Sequence, residues 1–376
     1  MESFLKIGIV LNYKKAEKKK DELLSVNSRK MPWLSLAKQS KYSSFIILRN
    51  GKPYVPADVA IGLYIESKYP NVIIDYITPK EISTRRFKKN DIVFVVIYDL
   101  LESFHLSDRS NFARYKLALK NSNNVYPPYK YQKFINNKCD YYKYLSKKKI
   151  PVAPTQCVSR EKWFSRNPDK YVSNLLAKVK RNKWESVIAK PVYGQESLDF
   201  AKFISCSPVD GLKCQQEKMK SYLGKNIPKY KSIVIQEYIA GFDKNKPEIR
   251  TYFINGEYKY SIVTTNSRVG IPVQEGGTFK LPDHIWKGVR SLSNNVIKSL
   301  PKFDLPGKYK SPILTRIDIG SGLNGVPHGL FVNEVEFVPS LYIEDHKYPV
   351  VEEIAESLLE VGKLYADRKS VVNTLF

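Results

Sequence analysis

Three carboxylates set the terms for chemistry in this chain. Arg316-Ile317-Asp318-Ile319-Gly320 and Asn333-Glu334-Val335-Glu336 each read as an apolar strand interrupted by charge. Side chains two apart on a strand share a face, so Glu334 and Glu336 point the same way. Carboxylates crowded together disfavour one another's ionisation unless a cation sits between them. Mg²⁺ takes a few carboxylates and completes its shell with phosphate oxygens and water. The pattern predicts a magnesium–phosphate site at Asp318, Glu334 and Glu336. The competing reading puts both glutamates on a solvated sheet face.

Charged residues also stand at the ends of other apolar runs. Lys190 closes Ser186-Val187-Ile188-Ala189 and precedes Pro191-Val192-Tyr193-Gly194. An ammonium held at a strand end reaches a phosphate as a point charge, and Gly194 allows a tight loop whose amides face it. Glu237-Tyr238-Ile239 leaves another apolar run. It offers the apolar slot and main-chain donor and acceptor that an adenine ring needs. Glu248-Ile249-Arg250 opens the next run. Glu248 suits ribose hydroxyls and Arg250 a phosphate or acyl phosphate; alternatively the two serve in a cross-strand ion pair.

Strands and turns must hold these positions. Lys6 to Leu11, Ser44 to Leu48, Val72 to Tyr76 and Asp91 to Tyr98 read as strands, and Ala57 to Tyr69 as a helix. This alternation predicts a parallel, doubly wound α/β domain over residues 1–125. The domain contains no GxGxxG, so no dinucleotide site is assigned. The Lys-rich run Lys14 to Lys30 reads as helix or loop. Asn121-Ser122-Asn123-Asn124 and Pro127-Pro128 mark a boundary. Beyond it the chain reads as α+β, antiparallel sheets with flanking helices, in two subdomains over 126–225 and 226–376.

Within that part, Tyr131 to Lys147 is expected as one helix and Arg160 to Lys183 as helical. Ile150 to Thr155 is extended because of its prolines. Ile249–Ile254 and Tyr258 to Val263 flank Asn255-Gly256, the signature of a type I′ hairpin. Leu314 to Ile319 and Leu330 to Phe337 form a second strand pair, and Val350 to Leu364 an amphipathic helix. No internal repeat occurs.

The 376 residues are 43% hydrophobic, enough for two or three packed domains at roughly 100–200 residues each. Lys and Arg total 62 against 37 Asp and Glu, a net charge of +25. That charge attracts polyanions: nucleic acid, acidic membranes or phosphorylated substrates. It equally fits a Lys-, Asn-, Ile- and Tyr-rich chain from an AT-rich genome, with lysines that only solvate the surface. Cys139, Cys157, Cys206 and Cys214 show no CxxC pairing, which predicts reduced thiols rather than zinc or a disulfide framework. His105, His284, His328 and His346 lack metal-ligand or triad spacing. No apolar run approaches the 18 or so residues of a membrane span. A soluble, cytoplasmic protein is expected, or a virion or virus-factory protein if the source is a large DNA virus.

Order and spacing together resemble the ATP-grasp superfamily, in particular its glutathione synthetase-like and carboxylate–amine ligase-like members. The segments that carry the likeness are Ile188-Ala189-Lys190-Pro191, Gln236-Glu237-Tyr238-Ile239, Glu248-Ile249-Arg250, Arg316-Ile317-Asp318 and Asn333-Glu334-Val335-Glu336, closing at Pro339-Ser340. Upstream, Asn137-Lys138 before a helix and Ile150-Pro151-Val152-Ala153-Pro154-Thr155 resemble the family's opening segment. The likeness spans roughly Tyr126 to Ser340.

It implies ATP and Mg²⁺ as cofactors, with Mn²⁺ as an alternative ion. Lys138 and Lys190 would bind ATP phosphates, Glu237, Tyr238 and Ile239 would form the adenine hinge, and Glu248 would bind ribose. Arg250 and Arg268 would face phosphates or substrate. Asp318, Glu334 and Glu336 would bind Mg²⁺, and the loop Gly270 to Thr278 would cover the site. Glu336 departs from the pattern, since many members carry Asn there; Glu keeps an oxygen ligand and adds negative charge.

The implied reaction is phosphorylation of a carboxylate followed by displacement of phosphate by an amine. The partner would be a small-molecule or peptide substrate, anionic in keeping with the charge. A second reading is a kinase of a polyanion such as an inositol phosphate. A third is a catalytically degenerate nucleic-acid-binding or structural protein, for which 26 tyrosines supply stacking surfaces, although no DNA or RNA recognition motif appears. Asp99 and Glu102 follow the longest strand of the first domain, where such sheets open a ligand crevice.

Overall fold

The computed structural model describes residues 4–11, 23–95, 109–193, 199–206, 212–239, 248–264, 270–272, 281–343 and 347–374. Val72–Ile77, Leu5–Val10, Ile92–Phe94 and Val125–Tyr126 lie side by side in that order, all parallel. Parallel neighbours need a crossover connection, and the helix Ala57–Lys68 lies on the one between Leu5–Val10 and Val72–Ile77. Every residue of that helix from Ala57 to Ile65 is buried, and the stretch is apolar on all sides except at Asp58. The C-terminal helix Val350–Thr374 returns to it: Tyr64 and Tyr69 donate to Glu356 at 2.8 and 2.6 Å.

Two details of this domain differ from expectation. Ser44 to Leu48 is not one strand: Ser40–Phe45 is a 3₁₀ turn, and Ile47–Arg49 is the strand. It pairs with Lys52–Pro56 across Asn50-Gly51, both at positive φ. The Lys-rich run ends in a further strand, Leu23–Ser25, on the other edge of Lys52–Pro56, while 12–22 lie outside the described residues. The third parallel strand is Ile92–Phe94; Val96 to Tyr98 fall outside them.

The remaining chain forms two antiparallel sheets. The middle one runs Ala201–Ile204, Ser186–Pro191, Ser232–Glu237, Thr155–Ser159. Ser232–Glu237 pairs with strands on both sides within this middle sheet. The C-terminal sheet runs Gly270–Pro272, Glu257–Thr264, Glu248–Ile254, Leu314–Gly320, Phe331–Glu336. Asn255 and Gly256 turn its hairpin at φ 53 and 82, the positive values that a type I′ turn requires. Val152 bridges Val332, so the extended proline segment leaves the edge of one sheet to enter the other. The middle sheet has its own core around Trp163, Leu175, Met219 and Ile235, whereas a second core runs through the parallel and C-terminal sheets together.

The expected helix Tyr131 to Lys147 is two helices, Tyr129–Ile135 and Lys138–Lys147. The break has a local cause. The Asn137 side chain accepts from the amides of Cys139 and Asp140 at 3.1 and 3.2 Å, an N-cap worth about 1 kcal/mol. Asn167 caps Pro168–Arg181 in the same way and separates it from Arg160–Phe164. Helices Arg109–Lys120, Gln216–Asn226 and Asp283–Ser299 were not anticipated.

The cysteines correct the expectation of reduced thiols. Cys139 is bonded to Cys157, with Cα atoms 6.1 Å apart, inside the range a disulfide spans, and Cys206 stands beside Cys214 with Cα atoms 6.4 Å apart. Linear spacing hid the pairs because their members come from different elements. Among the described residues no helix is long and apolar enough to cross a membrane.

Candidate active site

Strand register assembles the site. Arg250, Asp318 and Glu334 are partners across three adjacent strands, and Tyr252, Arg316 and Glu336 form the next row. Rows two residues apart share a face, so the predicted carboxylates converge. One ligand oxygen from each of Asp318, Glu334 and Glu336 lies within 4.8 Å of the others. A Mg²⁺ shell spans about 4 Å at ~2.1 Å per bond, so small side-chain rotations suffice to close on an ion.

Each carboxylate also has a cation beside it. Arg316, 4% exposed, donates to both oxygens of Asp318 at 2.7 Å and to Glu336 at 2.7 Å. Lys138, the first residue of its helix, sets its ammonium 2.7 Å from Glu334. Arg250 Nε lies 2.9 Å from Glu248 and 4.0 Å from Asp318. The Glu248–Arg250 ion pair thus exists, although between positions two apart on one strand rather than across strands. Glu248 accepts from Asn333 Nδ2 at 2.6 Å as well, which turns it toward the metal strands.

Burial and these neighbouring charges shift the carboxylates in different directions. Burial holds Glu248 above the ordinary carboxylate value, with Asp318 adding to the effect against Arg250 and Arg316. Burial likewise pushes Glu336 up to about 7; the Arg316 charge opposes this and the Glu334 and Asp318 charges reinforce it. Burial would raise Glu334 too, but Lys138 and Lys190 hold it below its usual value. Three converging hard oxygens of this kind fit a divalent cation of the Mg²⁺ type.

The middle sheet supplies the second wall. Lys190 pairs with Val234, which pairs with Cys157 on its other side. The Lys190 ammonium donates to the Tyr142 hydroxyl at 2.9 Å. The Cys139–Cys157 bond ties the helix of Lys138 to this same row.

At the far end of the strand, the Glu237 and Tyr238 amides already donate to Pro154 and Ser186 at 2.9 and 3.0 Å. Burial, then the nearby Glu185 charge, raises Glu237 above its ordinary value. Lys202 stands 3.3 Å over the Tyr238 ring. Ile239 joins Ala153, Leu323 and Phe331 in a small apolar cluster between the two sheets.

Arg268 lies outside the described residues, as do Asp99, Glu102, Gly194 to Ser197 and the cover loop beyond Pro272. Other residues belong to the site and carried no assigned role. Arg316 is legible in retrospect: it precedes Asp318 by two on one strand and so shares its face. Tyr142 lies one helical turn from Lys138, the i,i+4 spacing that puts both on one side. Tyr342, whose hydroxyl accepts from Arg250, gave no local signal, because its loop is bent to a positive φ of 52.

No protein-family profile matches the chain, and no curated protein matches it. Solved structures do. The D-cycloserine synthetase DcsG superposes with a TM-score of 0.60 at 15% identity, covering 95% of this chain and 99% of that one. A D-alanine–D-alanine ligase from Bacillus anthracis, complexed with ATP, gives 0.53 at 14% identity, over 96% and 99%. A RimK domain ATP-grasp protein from Sphaerobacter thermophilus gives 0.51 at 11% identity, over 82% and 96%. The chain has the ATP-grasp fold, an architecture that it shares with ATP-dependent ligases.

Proposed function

We propose that the chain is an ATP- and Mg²⁺-dependent ligase that joins a carboxylate to an amine through an acyl phosphate. The observation that carries this reading is the pair of charged rows on the C-terminal sheet, Arg250–Asp318–Glu334 and Tyr252–Arg316–Glu336, facing Lys138 and Lys190. Solved structures of the same fold include a ligase complexed with ATP. In this reading residues 1–125 help to enclose the acceptor, and the nucleotide lies between the middle and C-terminal sheets. The division between those two falls after Ile239.

Asp318, Glu334 and Glu336 would hold Mg²⁺, which when bound neutralises phosphate charge and favours phosphoryl transfer. The chain's own groups do the rest. Lys138 and Lys190 place two ammonium charges at the phosphate end, one from each wall. Arg316 is buried and Arg250 half-buried, each held in ion pairs and therefore preorganised to face the negative charge of an acyl phosphate. The Ile239 cluster offers an apolar floor for adenine, with the Tyr238 ring beside it. Because the Glu237 and Tyr238 amides are committed to the sheet, main-chain donation to the base falls to Ile239.

The test is ADP release with amino-acid and peptide pools, run with hydroxylamine as a trap. A ligase yields a hydroxamate from the acyl phosphate. A kinase releases ADP and leaves a phosphorylated product that hydroxylamine does not consume. No ADP release with any acceptor would count against an enzyme of either kind.

A further inference from the structure

We propose that Tyr142 is the positioning residue for the phosphate-binding lysine Lys190, an inference that rests on the nucleotide reading of the site. Tyr142 is fully buried on the helix Lys138–Lys147, one turn after Lys138. Its hydroxyl does two things at once. It accepts from Lys190 at 2.9 Å, and it donates to the main-chain carbonyl of Asn333, the residue before Glu334. The three groups belong to three different elements: the middle sheet, the helix and a metal strand. The relay therefore sets the distance between the lysine wall and the carboxylate wall.

The chemistry of each partner explains why this is positioning rather than simple packing. An ammonium has three donors. One is spent on Tyr142, its only hydrogen bond among the described residues, and the other two can meet phosphate oxygens. A lysine on a four-carbon stem is otherwise a mobile point charge, so fixing one donor fixes the direction of the others. The Lys190 nitrogen also stands 5.2 Å from the Tyr142 ring centroid, within cation–π range. The ring is locked in turn against Tyr141, at 4.5 Å between centroids. A tyrosine that only filled space would need one partner for its hydroxyl, and either one would serve.

The experiment is a double-mutant cycle on nucleotide affinity, with ATP and Mg²⁺ titrated calorimetrically into the full chain. Tyr142→Phe keeps the ring and removes the relay; Lys190→Met keeps most of the stem and removes the charge. Tyr142→Phe is expected to weaken ATP binding about tenfold in the wild-type background and less than about twofold in the Lys190→Met background, because pairs that act as one unit are non-additive. Equal losses in both backgrounds, or no loss in the first, would overturn the inference while leaving the nucleotide reading intact. A wild-type chain that binds no ATP with Mg²⁺ would overturn both. The melting temperature of Tyr142→Phe without nucleotide separates the alternatives further. Loss of the buried bonds lowers it under either role; a purely structural role predicts that fall with ATP affinity unchanged, whereas the positioning role predicts both fall together.

Discussion

Arg316 offers the sharpest test of the charge balance. Arg316→Met keeps the length of the stem and removes the guanidinium that bridges Asp318 and Glu336. Breaking a buried pair by removing one partner costs about 3–5 kcal/mol, because the other charge stays behind unpaired. Here part of the loss has an escape. Glu336, already pushed up to about 7, takes up a proton readily near neutrality, so the deficit should sit at the low end, about 3 kcal/mol. A divalent ion supplies the other escape. An ion that binds only the native state adds about 2.7 kcal/mol at a hundredfold excess over its Kd, and the variant's more negative cluster should bind it more tightly than the wild type does. Urea unfolding followed by tryptophan fluorescence, in chelator and in saturating Mg²⁺, measures both. The expected result is a large deficit in chelator that mostly disappears with Mg²⁺. A deficit below about 1 kcal/mol in chelator, or one of equal size in both buffers, would refute the reasoning.

Other predictions follow from single features. Glu356 would be raised by burial, yet donation from Tyr69 and Tyr64 and the Lys68 charge hold it below the ordinary carboxylate value. Its contribution to stability is therefore present above the unfolded value near ~4.3 and lost as pH falls through the folded value. The difference in unfolding midpoint between wild type and Glu356→Gln should shrink between pH 6 and pH 3; a constant difference would contradict it. The Cys139–Cys157 bond closes a loop with a sequence separation of 18, worth about 3 kcal/mol through the unfolded state. Reductant should lower the melting temperature, and a thiol titration of the unreduced, denatured chain that finds four free thiols would contradict the pairing. Gly256→Ala should destabilise by more than ~1 kcal/mol, since the residue sits at φ 82 and a Cβ there meets Ser311 Oγ at 2.8 Å; circular dichroism melts decide it.

How much of this was legible depended on whether the signal was local. Strand periodicity put Glu334 and Glu336 on one face, and Asn255-Gly256 announced its hairpin, because both rules act over a few residues; that Asp318 faces them follows from strand register. The helix break at Asn137 was local too, but its apolar periodicity continues across the gap, so the cap was overlooked. Glu248 shows the limit. Its pair with Arg250 lies within one strand, but its bond to Asn333 depends on which strands lie next to each other. Arg316 shares a face with Asp318 by its spacing, but its bond to Glu336 on the neighbouring strand depends on register. The Cys139–Cys157 bond and the Tyr142 relay join separate elements, which no local pattern of sequence announces.

The account rests on the acidic cluster being the metal end of a nucleotide cleft. Calorimetric titration of ATP, with and without Mg²⁺, into the wild type and into Asp318→Asn/Glu334→Gln tests it most directly. The wild type should bind ATP at least about tenfold more tightly with Mg²⁺, a difference of ~1.4 kcal/mol, and the double variant should lose that gain. Equal affinity in the two proteins, or binding indifferent to Mg²⁺, would place the metal elsewhere and contradict the account.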